Sequence, residues 1–237
     1  MKFLLAAALL PVIVLMWYIR KQDKIEKEPF GFVMSVFLCG AVTVISALIL
    51  ETLGEFILNI FLPQTSLVYL ALYYFLVVAG AEELGKYVVL RLRTWRSPEF
   101  NYTYDAVVYS VAASLGFAAV ENIMYVFQGG MSTALLRALT SIPGHAMFAV
   151  FMGFHYGLAK QADSRGQTGL RDSELRKMLI VPVLLHGFYD FSLSADGWIW
   201  ILLFFVFYIM AIIAAFLKVK QLSNEDHPVR EPACCLS

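Results

Sequence analysis

The sequence predicts an all-α fold, a polytopic transmembrane bundle of about seven helices, and three observations predict it. The 237 residues are 60% hydrophobic and only 15% charged, with a mean hydropathy of +0.71. A soluble domain of this length cannot hide so much apolar surface, and the apolar residues come in runs of about 17 or more, long enough to cross a bilayer. The basic residues, finally, cluster in alternate connections, as inserted helices require. The formal net charge of zero gives no ground for a nucleic-acid partner.

Taken in order, the apolar segments cover residues 3–19, 32–50, 67–90, 104–127, 134–158, 178–194 and 198–217. The first could pass for a signal peptide until its end. No small-x-small cleavage site follows it; Trp17-Tyr18 and then Arg20-Lys21 mark a membrane boundary instead, so it reads as a retained anchor. Arg20, Lys21, Lys24 and Lys27 follow the first segment, and Arg91, Arg93 and Arg96 the third. Lys160, Arg165, Arg171, Arg176 and Lys177 follow the fifth, and Lys218, Lys220 and Arg230 the last. The other connections, 51–66, 128–133 and 195–197, hold no Lys or Arg. Fifteen of the eighteen basic residues thus share one side, which predicts an external amino terminus and a cytoplasmic carboxyl terminus. Residues 1–220 form one transmembrane domain, and the polar tail 221–237, with Pro228 and Pro232, is expected to be disordered. Its end, Cys234-Cys235-Leu236-Ser237, fits the prenylation pattern but is short enough to arise by chance. With only Cys39 besides, there is no disulfide framework. No internal repeat is visible, which weighs against inverted-repeat transporters.

The third segment carries Gly80-Ala81-Glu82-Glu83-Leu84-Gly85-Lys86 where apolar residues belong. Each ionised group at the centre of a spanning helix costs roughly 2.5–3.5 kcal/mol on insertion scales, so three in five positions require a reason. On a helix Lys86 lies four residues from Glu82 and three from Glu83, and can neutralise either. Two carboxylates this close resist joint ionisation, an arrangement suited to a general base at neutral pH. An ion-pair lock between helices is the structural alternative.

Four more ionisable groups fall inside apolar segments: Glu121, His145, His186 and Asp190. At 1.5 Å per residue Glu82–Glu83 and His186 lie roughly 12 Å from the basic end of their helices, and His145 roughly 18 Å. Glu121 lies roughly 25 Å in, or roughly 18 Å if residues 101–109 are interfacial. His186 and Asp190 are four apart, so Asp190 can fix the imidazole tautomer. His145 follows Pro143-Gly144, read as a helix break that admits polar groups to a cavity. His155 reads as interfacial, and Arg137 as snorkelling to the outer headgroups. Gly153 and Gly157 make a small-xxx-small face.

Glu82-Glu83-Leu84-Gly85-Lys86, then Ser114-Leu115-Gly116-Phe117-Ala118-Ala119-Val120-Glu121-Asn122-Ile123, His145 with Met152-Gly153-Phe154, and Leu185-His186-Gly187-Phe188-Tyr189-Asp190-Phe191 resemble the PrsW family of intramembrane proteases. That family is similar to the CAAX proteases and bacteriocin-processing enzymes. The resemblance implies a bacterial multi-pass membrane enzyme that makes the first, extracytoplasmic (site-1) cut in a single-span anti-sigma factor during an envelope-stress response. It implicates Glu82, Glu83 and His186 most strongly, with Glu121, His145 and Asp190 as further site members.

The mechanism expected from these residues is hydrolysis by a water that Glu83 or Glu82 deprotonates, with Lys86 tuning the pair. His186, oriented by Asp190, or His145 would stabilise the oxyanion together with Asn122. The reading needs no cofactor. A zinc site of His145, His186 and Glu83 is the alternative, although no H-E-x-x-H is present. A proton-coupled transporter using the same Glu/His/Asp cluster is the competing function, and a non-catalytic scaffold a third. One difficulty stands: the cluster lies nearer the cytoplasm by these depths, while the implied cut is extracytoplasmic, so the site needs a water-filled funnel from outside.

Overall fold

A helix lined on every side by small residues lets neighbouring helices approach it from every side, and the stretch from Asp105 to Ala119, rich in Ala, Val and Ser, is such a helix. In the computed structural model, which describes residues 2–230, every residue from Asp105 to Ala119 is buried. This is the first half of α5 (Asp105–Leu139), and the bundle is wrapped around it. Around it pack α1 (Lys2–Gln22), α2 (Phe30–Phe61) and α6 (Ser141–Ser164). A composite helix runs from Leu67 to Thr94: α3 (Leu67–Leu72), a π-helical segment Tyr73–Val78, and α4 (Ala79–Thr94). α7 (Thr168–Ser194) fills the space between α6 and that composite helix, and α8 (Trp198–Asn224) closes the outside against α6 and α7. Among the described residues the only strand-like pairing is an isolated bridge between Tyr102 and Pro228.

Among the described residues, five helical stretches are long and apolar enough to cross a membrane: Lys2–Gln22, Phe30–Phe61, Leu67–Thr94, Asp105–Ser164 and Trp198–Asn224. The 60-residue stretch Asp105–Ser164 holds both α5 and α6. α7 lies outside this set because His186, Asp190 and its charged first turns lower its apolar content; the residues that matter most cost it its membrane signature. Apolar side chains of α1, α2 and α8, such as Ile13, Phe56, Ile60, Ile201 and Phe205, point outward, as they must where the solvent is lipid.

Close helix crossings depend on glycine. A Cβ on Gly40 of α2 would lie 1.9 Å from the Ala113 carbonyl oxygen, and one on Gly116 of α5 would lie 1.9 Å from that of Phe37. The two glycines let α2 and α5 touch backbone to backbone, the close approach that small residues allow in membranes. Gly153 and Gly157 of α6 do the same against residues 103–107, where the chain enters α5.

Two departures from the expected boundaries matter. The turn anticipated at 128–133 is instead a kink at Gly130 (φ 75°, ψ −158°), after which the chain stays helical to Leu139. The second break is at Thr140, so Pro143 sits in the first turn of α6, where a missing N–H costs nothing, and does not break a helix. The tail is also ordered as far as it is described, not disordered from 221. α8 continues to Asn224, and Asp226 Oδ1 accepts from the Tyr104 N–H at 2.8 Å and the Thr103 hydroxyl at 3.0 Å. Asp226 thereby satisfies a backbone donor at the start of α5 that has no partner within the helix. The Val229 N–H then donates to the Asn101 carbonyl at 2.7 Å. The terminal Cys-Cys-Leu-Ser lies outside the described residues.

At the same end, Glu28 is buried and accepts from the Tyr109 hydroxyl. Burial pushes its carboxyl up to about 7, and that of neighbouring Asp23 up to about 6. A raised carboxyl means the folded state holds a proton that the unfolded chain releases. This contribution is complete below the ordinary value of 4.5 and is lost as pH rises through about 7.

Two outcomes follow. Gly40→Ala or Gly116→Ala lowers stability by about 1–3 kcal/mol, read as a lower melting temperature in detergent; an unchanged value contradicts the close crossing. Raising the pH from 5 to 8 lowers the melting temperature of the wild type, and Glu28→Gln flattens that slope.

Candidate active site

Glu82, Glu83 and Lys86 project from consecutive turns of α4 into the bundle, and all three are buried. Lys86 Nζ lies 2.7 Å from Glu83 Oε1 and 3.3 Å from Glu82 Oε2. The ammonium therefore bridges both carboxylates, where the sequence offered a choice between them. It also sits 4.4 Å above the centre of the Phe117 ring. The turn that carries the carboxylates follows directly on the π-helical segment, a rare irregularity often found at functional sites. Phe75 of that segment packs against Gly187 of α7, where a Cβ would come within 2.6 Å of the ring. The contact brings α7 in with His186 one residue away.

His186 joins the cluster through both ring nitrogens. Nδ1 lies 3.0 Å from Glu83 Oε1 and 4.0 Å from Glu82 Oε2, and Nε2 lies 3.2 Å from Asp190 Oδ2. The spacing that lets Asp190 reach back one turn is thus used. His186 also stacks on Phe148, with ring centres 4.8 Å apart.

His145 approaches from α6, its ring centre 5.4 Å from that of His186. Nδ1 is 3.4 Å from Lys86 Nζ and Nε2 is 2.9 Å from Glu121 Oε2. Lys86 can only donate, so His145 Nδ1 accepts and Nε2–H donates to Glu121. Glu121 also receives Arg137 Nη2 at 2.8 Å. All seven predicted residues, Glu82, Glu83, Lys86, Glu121, His145, His186 and Asp190, are linked in this one network.

Three positions differ from expectation. Arg137 does not reach for headgroups; the kink at Gly130 turns it back onto Glu121 and Asn122, and it lies 4.3 Å over the Tyr125 ring. Asn122 is no free oxyanion donor: its Oδ1 accepts from Arg137 Nε and its Nδ2 donates to the Ala8 carbonyl, both at 2.8 Å. Glu51, drawn from the sequence as the start of an external connection, lies within α2 and lines the site. Apolar residues continue beyond it to Phe61, and that continuation was the available signal. His155, as expected, stands apart, 2.7 Å from Glu174 at the basic end.

A cavity of about 510 Å³ opens over the cluster. Its walls include Glu51, Glu82, Phe117, Glu121, Arg137, His145, His186 and Asp190. Glu83 is fully buried behind it. The lining runs from the middle of the helices, at Val44, Glu82 and Phe117, to their ends remote from the basic connections, at Tyr73, Thr140, Ser141 and Leu193. Glu121, about 24 Å along α5 from Asp105, belongs to the outer wall and not to the deepest layer. The cavity therefore reaches from the polar cluster toward the helix ends remote from the basic connections.

The residues also fit a metal. Glu82, His145 and His186 each offer a donor atom, all within 4.8 Å of one another. One carboxylate and two imidazoles make a set found at catalytic zinc. Each imidazole is backed through Nε2 by a carboxylate, Glu121 or Asp190, the outer support that metal-binding histidines use. The carboxylate of this set is Glu82, not the Glu83 expected from sequence, because Glu83 Oε1 is already held by Lys86 and His186.

A multi-pass helical bundle with carboxylates and imidazoles converging at an intramembrane cavity defines an intramembrane enzyme. A family model described as PrsW family intramembrane metalloprotease matches residues 28–217. The chain is 34% identical to Protease PrsW of Geobacillus kaustophilus over 230 residues, which cover 97% of this chain and 96% of that relative. It is 32% identical to Protease PrsW of Clostridioides difficile over 211 residues (86% and 84%), and 31% identical to that of Bacillus subtilis over 215 residues (87% and 90%). No solved structure matches. The chain belongs to the PrsW family and is an intramembrane protease, which displaces the transporter and scaffold readings.

Lys86→Met strips two buried carboxylates of their shared cation and costs about 3–5 kcal/mol, measured by unfolding in detergent. Lys86→Arg, keeping the charge, loses less; equal losses would point to packing alone.

Proposed function

We propose that this protease cuts a single-span bacterial membrane protein, of the anti-sigma factor class that the family resemblance implies, from the side opposite its basic loops, with Glu82 as the base. The observation that carries the choice of Glu82 is the split between the paired carboxylates. Glu82 lines the cavity between the two imidazoles, whereas Glu83 is sealed behind it by Lys86 and His186.

In this reading a peptide segment of the substrate unwinds into the cavity, since helical carbonyls already hold hydrogen bonds. Glu82 takes a proton from the attacking water, with Lys86 balancing the charge that Glu82 and Glu83 share. His186, aligned by Asp190, stands at the cavity wall, where negative charge develops on the scissile carbonyl, while His145, whose Nε2–H goes to Glu121 and whose Nδ1 accepts from Lys86, positions the groups around it. Glu82 then returns the proton to the departing amine. Zinc, if held by Glu82, His145 and His186, would supply polarisation of the water and the carbonyl, with Glu82 then serving as a ligand in place of the base. The match to a metalloprotease family and the converging donors support that version over the cofactor-free one preferred from the sequence. The bacterial cell membrane, with the amino terminus outside, is the matching location.

Purified protein with a single-span anti-sigma factor in detergent tests the reading. Glu82→Gln is expected to reduce cleavage by about 10²–10⁴-fold, and cleavage at the wild-type rate by this variant would overturn the role of Glu82. A zinc chelator decides the cofactor: loss of cleavage reversed by zinc supports the ion, and full activity in chelator supports the residues alone.

A further inference from the structure

Four carboxylates line the cavity, and three of them are paired. Glu82 has Lys86, Glu121 has Arg137 and His145, and Asp190 has His186. The fourth, Glu51, forms no hydrogen bond or ion pair among the described residues. It sits within α2, half-buried, on the stripe Val44, Ala47, Leu48 and Glu51 that α2 turns toward the cavity. It shares the cavity wall with Glu82, Glu121, His186 and Asp190, so its charge belongs to the site. One turn further out on the same face is Glu55, and residues 51–66 contain no Lys or Arg to neutralise either. An ionisable group held unpaired at membrane depth is costly and points to a partner that arrives from elsewhere.

We propose that Glu51 is a specificity-determining residue that receives a Lys or Arg side chain of the substrate, placed on the outer flank of the cleaved span. The inference rests on the reading that the cavity accepts a membrane peptide, and it names which peptides. Outer flanks of membrane spans are poor in Lys and Arg. A cation there is consequently a rare mark, and an acidic wall beside the catalytic carboxylate would separate marked spans from the rest. Arg137, the cation of the cavity wall, is already paired with Glu121 and bonded to Asn122.

The test uses the full-length protein in detergent with three versions of one single-span substrate, carrying Lys, Gln or Glu at a position on the outer flank within one turn of the cut. Wild type is expected to cleave the Lys version about tenfold or more faster than the Glu version. Glu51→Gln should flatten that ratio, Glu51→Asp should retain it, and Glu51→Lys should invert it. Melting temperatures report whether each variant is folded, and Gln against Asp decides the matter if the Lys variant is not. Equal rates for all three substrates with wild type, or the wild-type ratio persisting in Glu51→Gln, overturn the inference and leave the protease reading intact. Cleavage of none of the three, nor of the unmodified substrate, by wild type counts against the substrate reading itself.

Discussion

A lysine ammonium with no access to solvent, bound at once to two adjacent carboxylates, is the interaction on which the rest of this structure depends. Buried charges are tolerable only when paired, and breaking such a pair leaves an uncompensated charge in a medium that cannot solvate it. Lys86 and Glu83 therefore hold one another in place on α4, and His186 closes the arrangement from α7. Through His145, which accepts from Lys86, the same network reaches α6, and through Glu121 it reaches α5. Four helices that have little hydrophobic reason to prefer one another in lipid share one polar network.

The network is layered. Glu83 and Lys86 form a sealed floor, Glu82 with the two imidazoles the middle, and Glu121, Arg137 and Asp190 the outer wall. Each imidazole is steered by a carboxylate on its far nitrogen, so the ring faces that look inward are fixed before any substrate arrives. Such preorganisation is what lets a site stabilise developing charge without rearranging at the moment of reaction. The same geometry can hold a metal, because orienting a ligand and orienting a catalytic imidazole make the same demand on the surrounding residues.

The surrounding fold supplies position. The buried first half of α5 is a rigid post, and glycine contacts at Gly40, Gly116, Gly153 and Gly157 draw α2 and α6 onto it. Gly153 and Gly157 lie on the basic side of the cavity, and Gly40 and Gly116 lie beside it. The break at Gly130 and the second at Thr140 let the chain fold Arg137 back over the opening.

The sequence by itself determined the class of fold, the polar residues and the family, because charge inside an apolar run is visible without coordinates and its cost forbids accident. It also determined the pairings within one helix, Lys86 with its glutamates and His186 with Asp190, since helical spacing fixes them. What only the tertiary structure decided were the pairings between helices: that Glu121 supports His145, that Arg137 turns inward, that Asn122 is consumed, and that Glu51 lies in the wall. A kink at one glycine and an end about three turns further along α2 settle these; the apolar run to Phe61 carried a signal for the second, whereas the kink depends on packing against neighbours that local pattern does not encode. The difference between Glu82 and Glu83 is of the same kind. They are adjacent and chemically identical in sequence; only the direction in which the bundle leaves room for water tells them apart.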